Sequence, residues 1–290
     1  RLESSQDVLL FESSSGALVS FRSKAVPDQE FILTESCQPV FVIQYLDEAQ
    51  RFRQIGSGEA VEVEVSSADS PEDGGTTTLI AHFRQLGGLD LDVTVTVRAT
   101  ANDRYSRWSL SLQNDAGLSI TDVQFPFVVS PYSLGGKPGT EAMLLPFGPG
   151  VLLNGPKPED LEPDCPHTWQ IRPENGDCSH YPGLVVAQFL AYYNDRAGIF
   201  VSCQDSNGMI KLIMPVHREP GVRLGISHVG DWPQHGERQL EYDVVIGSFT
   251  GDWYTAADMY RDWSLQQKWA ATPLSKRTDV PEWLLDSPPH

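Results

Sequence analysis

The sequence predicts a mainly β protein, a large antiparallel β-sandwich closed by one C-terminal helix. Three observations predict it. The dominant hydrophobic period is two, the apolar runs are short and recur at sandwich spacing, and the 24 glycines and 21 prolines fall mostly between those runs.

The elements follow in order. Ser15–Phe21 opens as a strand, and in Gly58–Ser66 the residues Val61, Val63 and Val65 alternate with Glu62 and Glu64. From Leu89 to Arg98, Leu89, Leu91, Val93, Val95 and Val97 alternate with Asp90, Asp92, Thr94 and Thr96. Trp108, Leu110 and Leu112 alternate with Ser109, Ser111 and Gln113. One buried and one wet face is the signature of an antiparallel sheet. Val185–Tyr193 and Ile199–Ser202 are apolar throughout and read as strands buried on both faces. Asn194–Gly198 and Asp205–Gly208 supply the turns around them. Between Ser130 and Pro182 ten prolines interrupt short apolar runs, which reads as an elaborate connection covering one sheet.

One segment breaks the β period. Ala256, Met259, Tyr260 and Trp263 fall at i, i+3, i+4 and i+7, predicting an amphipathic helix over Asp252–Ala271. Asp252 or Thr255 can cap its start, and Pro273 ends it. The tail that follows is linker-like yet carries Trp283, Leu284 and Leu285, which need a surface to dock on. The division is therefore a sandwich domain over 1–250 and a helix with linker over 251–290.

Charge excludes several functions. Acids outnumber bases 39 to 21, a formal charge of −18, so there is no basic stripe for nucleic acid and no attraction to an anionic membrane. No apolar run approaches the roughly 18 residues of a membrane span. With 40% hydrophobic and 10% aromatic residues the chain has ample material for a core. No leader peptide is legible, and the chain opens on Arg1 rather than Met, which reads as a processed or excised piece.

Cys37 and Cys203 sit in strand-like runs and read as buried free thiols. Cys165 and Cys178 lie thirteen positions apart in a Pro/Asp/Gly-rich segment. A disulfide between them would contribute roughly 3 kcal/mol by restricting the unfolded chain. Free thiols are the alternative. The units Cys165/His167 and Cys178/His180 also suggest zinc, but one intervening residue is too few for comfortable tetrahedral ligation. Cys165 and Cys178 are thus a disulfide candidate, with no metal and no cofactor expected.

There is no nucleophile elbow, phosphate loop or zinc-protease helix in the sequence. Asp205-Ser-Asn207-Gly208 imitates the start of a calcium loop, lacks the remaining acids, and reads as a turn. Paired glycosidase carboxylates come from distant segments and cannot be read from spacing. More informative is a mixture of aromatic and polar groups in irregular stretches: His180-Tyr181, Tyr192-Tyr193, and Gly230-Asp231-Trp232-Pro-Gln-His235. Sugars pack C–H faces on rings while their hydroxyls meet carboxylates and imidazoles. His180, Tyr181, Asp231 and Trp232 are accordingly the candidate substrate-binding residues, expected on one edge of the sandwich.

The order of segments adds a resemblance. Ser15–Phe21, Ile120–Pro126, Leu144–Leu153, Gln188–Tyr193 with Gly198–Asp205, Gly251–Trp263 and Val280–Leu284 together resemble the N-terminal β-supersandwich of a glycoside-hydrolase-like family of uncharacterised function. That layout is similar to the galactose-mutarotase-like domains of family 31 and family 36 glycosidases. The Asp252-Trp-Tyr-x-Ala-Ala-x-x-Tyr-Arg-x-Trp263 helix is its most specific element. The resemblance implies a following (β/α)8 barrel, absent from this chain, that holds the catalytic carboxylates beyond His290, so no catalytic residue is assigned here. It also implies carbohydrate as ligand and the barrel of the same polypeptide as partner. Two rivals share the sandwich: an aldose epimerase-like enzyme, pairing His180 or His228 with Glu219 or Asp231, and a sugar-binding module without catalysis.

Overall fold

The computed structural model describes residues 1–33, 38–70, 74–161 and 180–286. The first sheet is a three-stranded meander of β1 (Leu2–Glu3), β2 (Asp7–Phe11) and β3 (Leu18–Ser23). There follow β4 (Val42–Leu46), β5 (Phe52–Gly56), β6 (Ala60–Ser70), β7 (Thr76–Leu86), β8 (Leu91–Thr100) and β9 (Ser106–Asn114). Next come β10 (Ser119–Gln124), β11 (Val128–Pro131), β12 (Ala142–Leu145), β13 (Val151–Asn154) and β14 (His180–Tyr181). The series closes with β15 (Phe189–Tyr193), β16 (Gly198–Cys203), β17 (Lys211–Arg218), β18 (Gly221–Val229), β19 (Gly236–Gln239) and β20 (Val244–Phe249).

Two large sheets carry the fold. A seven-stranded sheet runs β14-β17-β18-β10-β4-β5, with β11 beside β18. A ten-stranded sheet runs β13-β12-β15-β16-β20-β9-β8-β7-β6, with β19 on β9. The fold class is the predicted mainly β one, large antiparallel sheets with a C-terminal helix. The period-two pattern does what it predicts: Val93, Val95 and Val97 are buried and pair with Leu112, Leu110 and Trp108, while Thr94 and Thr96 face outward. Trp108 and Phe125 meet edge-on at 6.3 Å, and Phe41 and Phe83 at 5.1 Å, so aromatic rings bridge the sheets. Burying each such side chain stabilises the fold by about 1.5–3 kcal/mol. Between β7 and β8 the chain reverses through Gly87 at φ 59°, where a Cβ would stand 2.7 Å from Ile55 Cδ1. Only glycine serves there.

β15, β16 and β20 are buried on both faces because a helix covers their outer side. Helix α1 (Trp253–Ser264) is capped by Asp252, whose Oδ1 accepts from Tyr254 N at 2.9 Å. It sets Ala256 and Met259 into a cluster with Phe189, Phe200, Val245 and Phe249, and Tyr260 stacks on Phe189 at 5.0 Å. The helix is shorter than the predicted Asp252–Ala271. Gln266 and Gln267 turn their side-chain amides back onto the carbonyls of Asp262 and Trp263, and Lys268–Ala270 forms a separate 3-10 turn. A last short helix, α2, spans Glu282–Leu285. No helix among the described residues is long and apolar enough to cross a membrane.

Candidate functional site on the seven-stranded sheet

The four sequence-derived candidates lie at one end of β14, β17 and β18. In register, His180 faces Leu212 and Tyr181 faces Lys211; Lys211 in turn faces His228, and Leu212 faces Ser227. Asp231 and Trp232 follow β18 directly. Neighbours on a strand point to opposite faces, so His180 and Tyr181 part company. Val222, Leu224 and Ile226 of β18 belong to the core, which makes the Lys211–His228 row inward-facing and the Leu212–Ser227 row outward-facing. Tyr181 is thus inward and His180 outward. Trp232 also joins the core, its Nε1 donating to His228 O at 2.9 Å and Arg238 lying 5.8 Å over its ring. Asp231 is exposed, at φ 54°.

Behind Tyr181 is a buried polar network. Lys211 Nζ donates to Asp205 Oδ2 at 2.6 Å, Gln188 Oε1 at 3.0 Å and Met209 O at 2.7 Å, using all three protons. The rings of Tyr181 and Tyr242 lie 5.1 and 4.7 Å from the ammonium. Asp205 also accepts from Asn207 N and Met209 N, so it closes the turn before β17 and anchors the lysine at once. His228 lies 2.8 Å from Phe125 O through Nε2 and 2.7 Å from Tyr242 OH through Nδ1. A carbonyl only accepts, so Nε2 carries the proton and Nδ1 accepts from the tyrosine. Burial pushes the His228 pKa down to about 4, keeping the ring neutral. Burial likewise raises the free thiol of Cys203 to about 12, an inert group.

The outward face is different in kind. Asp122, Gln124, Arg223 and Ser227 occupy outward positions of β10 and β18, with Gln44 of β4 paired to Asp122. Gln124, Arg223 and Ser227 are each less than a tenth exposed although they face away from the inter-sheet core. Arg223 Nη1 donates to Gln124 Oε1, and its guanidinium lies 5.2 Å from the Phe127 ring. Burial raises the Asp122 carboxyl to about 6, against the opposing pull of its bond with Thr121 and the charge of Arg223. Burial lowers Arg223 to about 10. A guanidinium, a carboxyl, an amide and a hydroxyl thus gather on the outward side of this sheet, largely shielded from water, with His180 on the same face.

Sequence reading missed Asp122, Gln124, Arg223 and Ser227. Each sits in plain period-two alternation and looks like an ordinary wet face; only the register brings them together. The pairs nominated for epimerase chemistry fare unevenly. Glu219 lies at the opposite end of the β17–β18 hairpin from His228, seven residues along β18 from its turn at Gly221, or roughly 23 Å. His180 is paired near the His228 end, so Glu219 reaches neither histidine; Asp231 alone shares their end. Tyr192, also noted for its aromatic character, is fully buried with its hydroxyl donating to Tyr132 O at 2.6 Å. Cys37, Cys165 and Cys178 lie outside the described residues. Among the described residues no three His, Cys, Asp or Glu side chains gather as a metal would require.

Comparison with known proteins gives the fold a context. A family model described as a domain of unknown function, DUF6259, matches residues 238–289. No curated protein matches the sequence. The α-N-acetylgalactosaminidase NagBb from Bifidobacterium bifidum, in complex with Gal-NHAc-DNJ, superposes with a TM-score of 0.63 at 12% identity over 91% of this chain and 38% of its own. Its GalNAc complex gives 0.61 at 12% identity over 90% of this chain and 38% of its own. A glycosyl hydrolase family 38 protein from Enterococcus faecalis gives 0.50 at 12% identity, over 91% and 32%. The chain therefore shares its β-rich fold with parts of glycoside hydrolases, and it spans under two-fifths of the length of each.

Proposed function

We propose that residues 1–250 are the supersandwich module of a carbohydrate-active protein of the glycoside hydrolase class, and that residues 251–290 lead into its catalytic barrel. The observation that carries this reading is where the exposed aromatic side chains lie: among the described residues, all but Phe52 fall in the helix and tail. Trp253, Tyr254, Trp269 and Trp283 are exposed there, whereas the exposed apolar side chains of the sandwich are, Phe52 apart, aliphatic. Such a concentration of aromatic surface marks an interface. The superposition on NagBb supports it, because nearly all of this chain accounts for 38% of that hydrolase.

In this reading the sandwich buttresses the barrel and lends a wall to the sugar pocket. His180 and Asp231 meet the sugar from the sheet edge, Tyr181 and Trp232 hold that edge from the core side, and the shielded Asp122, Gln124 and Arg223 group supports the same face. The acid and the nucleophile or base that flank a glycosidic bond belong to the barrel. The test compares the 290-residue chain with a longer polypeptide on aryl glycosides, an aryl N-acetylgalactosaminide among them. Turnover by the longer chain alone is expected. Turnover by residues 1–290, abolished by changing one of their own carboxylates, would overturn the proposal.

A further inference from the structure

We infer that a groove on the outward face of the ten-stranded sheet, walled by Trp263 of α1, is a separate binding site for a neutral mono- or disaccharide. It is an open depression of about 550 Å³, within the size range of small-ligand sites, and it is formed by Arg98, Ser109, Trp263 and the run Gln239–Asp243, with Gln204 at its margin.

The groove has a structural origin. α1 covers the apolar outer side of β15, β16 and β20, but it is too short to reach across β9 and β8, whose outward residues are polar. Where the helix stops, the half-buried ring of Trp263 stands at the boundary between apolar and polar sheet. Trp269 lies 5.7 Å from it, in an edge-on arrangement, and is itself exposed. An indole beside a hydrogen-bonding floor is the combination that accepts a pyranose, with C–H groups on the ring and hydroxyls on the floor.

Charge selects the ligand further. Arg98 Nη2 donates to Asp243 Oδ1 at 2.9 Å, and Arg107 lies 3.9 Å from Asp243 on its other side. Arg107 is held in turn by Asp103 at 2.7 Å and by Gln204 Oε1 at 2.6 Å. Both guanidiniums are thus held by carboxylates, and the exposed Glu241 adds a further negative charge, so an anionic ligand would meet net negative charge and would have to break a pair to enter. A neutral polyol would not. It can accept from the remaining Arg98 N–H groups and the amides of Gln204 and Gln239, and donate to Glu241 and the second lone pairs of Asp243. The family model that matches residues 238–289 takes in Gln239–Asp243 and Trp263, which are most of the groove wall. The site stands apart from the Asp122–Arg223 face and does not depend on a barrel.

The experiment titrates the 290-residue chain with methyl galactoside, methyl N-acetylgalactosaminide and lactose, following tryptophan fluorescence and amide chemical shifts. Binding is expected at millimolar concentration, with shifts at Ser109, Gln204 and Gln239–Asp243. Trp263→Leu, which keeps apolar contact with Tyr260, should weaken it by about tenfold or more. Arg98→Met, at a half-exposed position, should weaken it as well and serves if the tryptophan variant fails to fold. Absence of binding by all three sugars would overturn the inference. So would binding that survives both variants, or shifts centred on Asp122, Gln124 and Ser227. In a longer polypeptide, protection of the groove amides from hydrogen exchange without added sugar would also overturn it, because a neighbouring domain would then be the occupant. Hydrolysis by that longer polypeptide is read separately, so failure here leaves the barrel proposal standing, and the reverse.

Discussion

The ammonium of Lys211 and the carboxylate of Asp205 meet at 2.6 Å with both side chains essentially out of contact with water. Removing one partner of such a pair leaves a buried charge without compensation. Lys211→Met should therefore destabilise the fold by about 3–5 kcal/mol. Adding Asp205→Asn should recover part of that loss, since a neutral amide then stands in place of the unpaired carboxylate. Urea unfolding of the two single variants and the double variant measures the coupling.

Asp7 gives the protein an unusual pH dependence. Burial raises its carboxyl from 3.8 to about 6, although it accepts from Ser248 N at 3.1 Å and from Ser248 Oγ. A carboxyl that is a weaker acid in the folded than in the unfolded chain binds more protons when folded. Stability is then greatest below the unfolded value and falls as pH rises from about 4 to about 6, by an amount of order 3 kcal/mol. Asp7→Asn should remove this share of the slope. Unfolding midpoints on either side of that window test it.

Helix α1 should respond at its cap and at its buried face. Asp252→Ala removes the acceptor for Tyr254 N and should cost about 1 kcal/mol. Met259→Ala empties a filled position against the sheet and should cost about 2–5 kcal/mol. Thermal unfolding of each variant ranks the two.

At Gly87, alanine meets both an unfavourable φ and the Ile55 methyl at 2.7 Å. Gly87→Ala should cost more than the about 1 kcal/mol that strain alone implies. Pairing it with Ile55→Val should recover part of the cost if contact, rather than φ, dominates. Chemical denaturation of the single and double variants separates the two.

The shielded polar group of the seven-stranded sheet predicts a functional effect. In a longer, active polypeptide, Asp122→Asn should reduce kcat/KM for its glycoside, and the remaining activity should lose a titration near pH 6. Unchanged efficiency and an unchanged pH profile would remove Asp122 from the sugar pocket. Steady-state kinetics across that pH range provides the check.

Much of the fold was legible because alternation reports burial directly. Val93, Val95 and Val97 on one strand and Trp108, Leu110 and Leu112 on the next each identified their buried face without knowledge of the partner. The helix at Ala256–Trp263 was legible for the same reason at a different period. Its end was not, because the stop comes from Gln266 and Gln267 folding back, a choice glutamine side chains do not announce. The candidate site was legible only as neighbourhood. Adjacent residues such as His180 and Tyr181 were grouped by sequence, yet a strand sends them to opposite faces. Gln124 and Arg223 are 99 positions apart in sequence and are joined by a side-chain hydrogen bond, which leaves no local signal.

The bond from Asp7 to Ser248 joins positions 241 residues apart. At ordinary elongation rates the ribosome needs roughly ten to fifty seconds to make the intervening chain. Throughout that interval β2 emerges without the serine that satisfies its buried carboxylate, and β9 lacks β20 beside it. β9, with its Trp108, is thus synthesised long before β20, which pairs with it. The native surroundings of Asp7 and of β9 can therefore close only once residue 248 has been made.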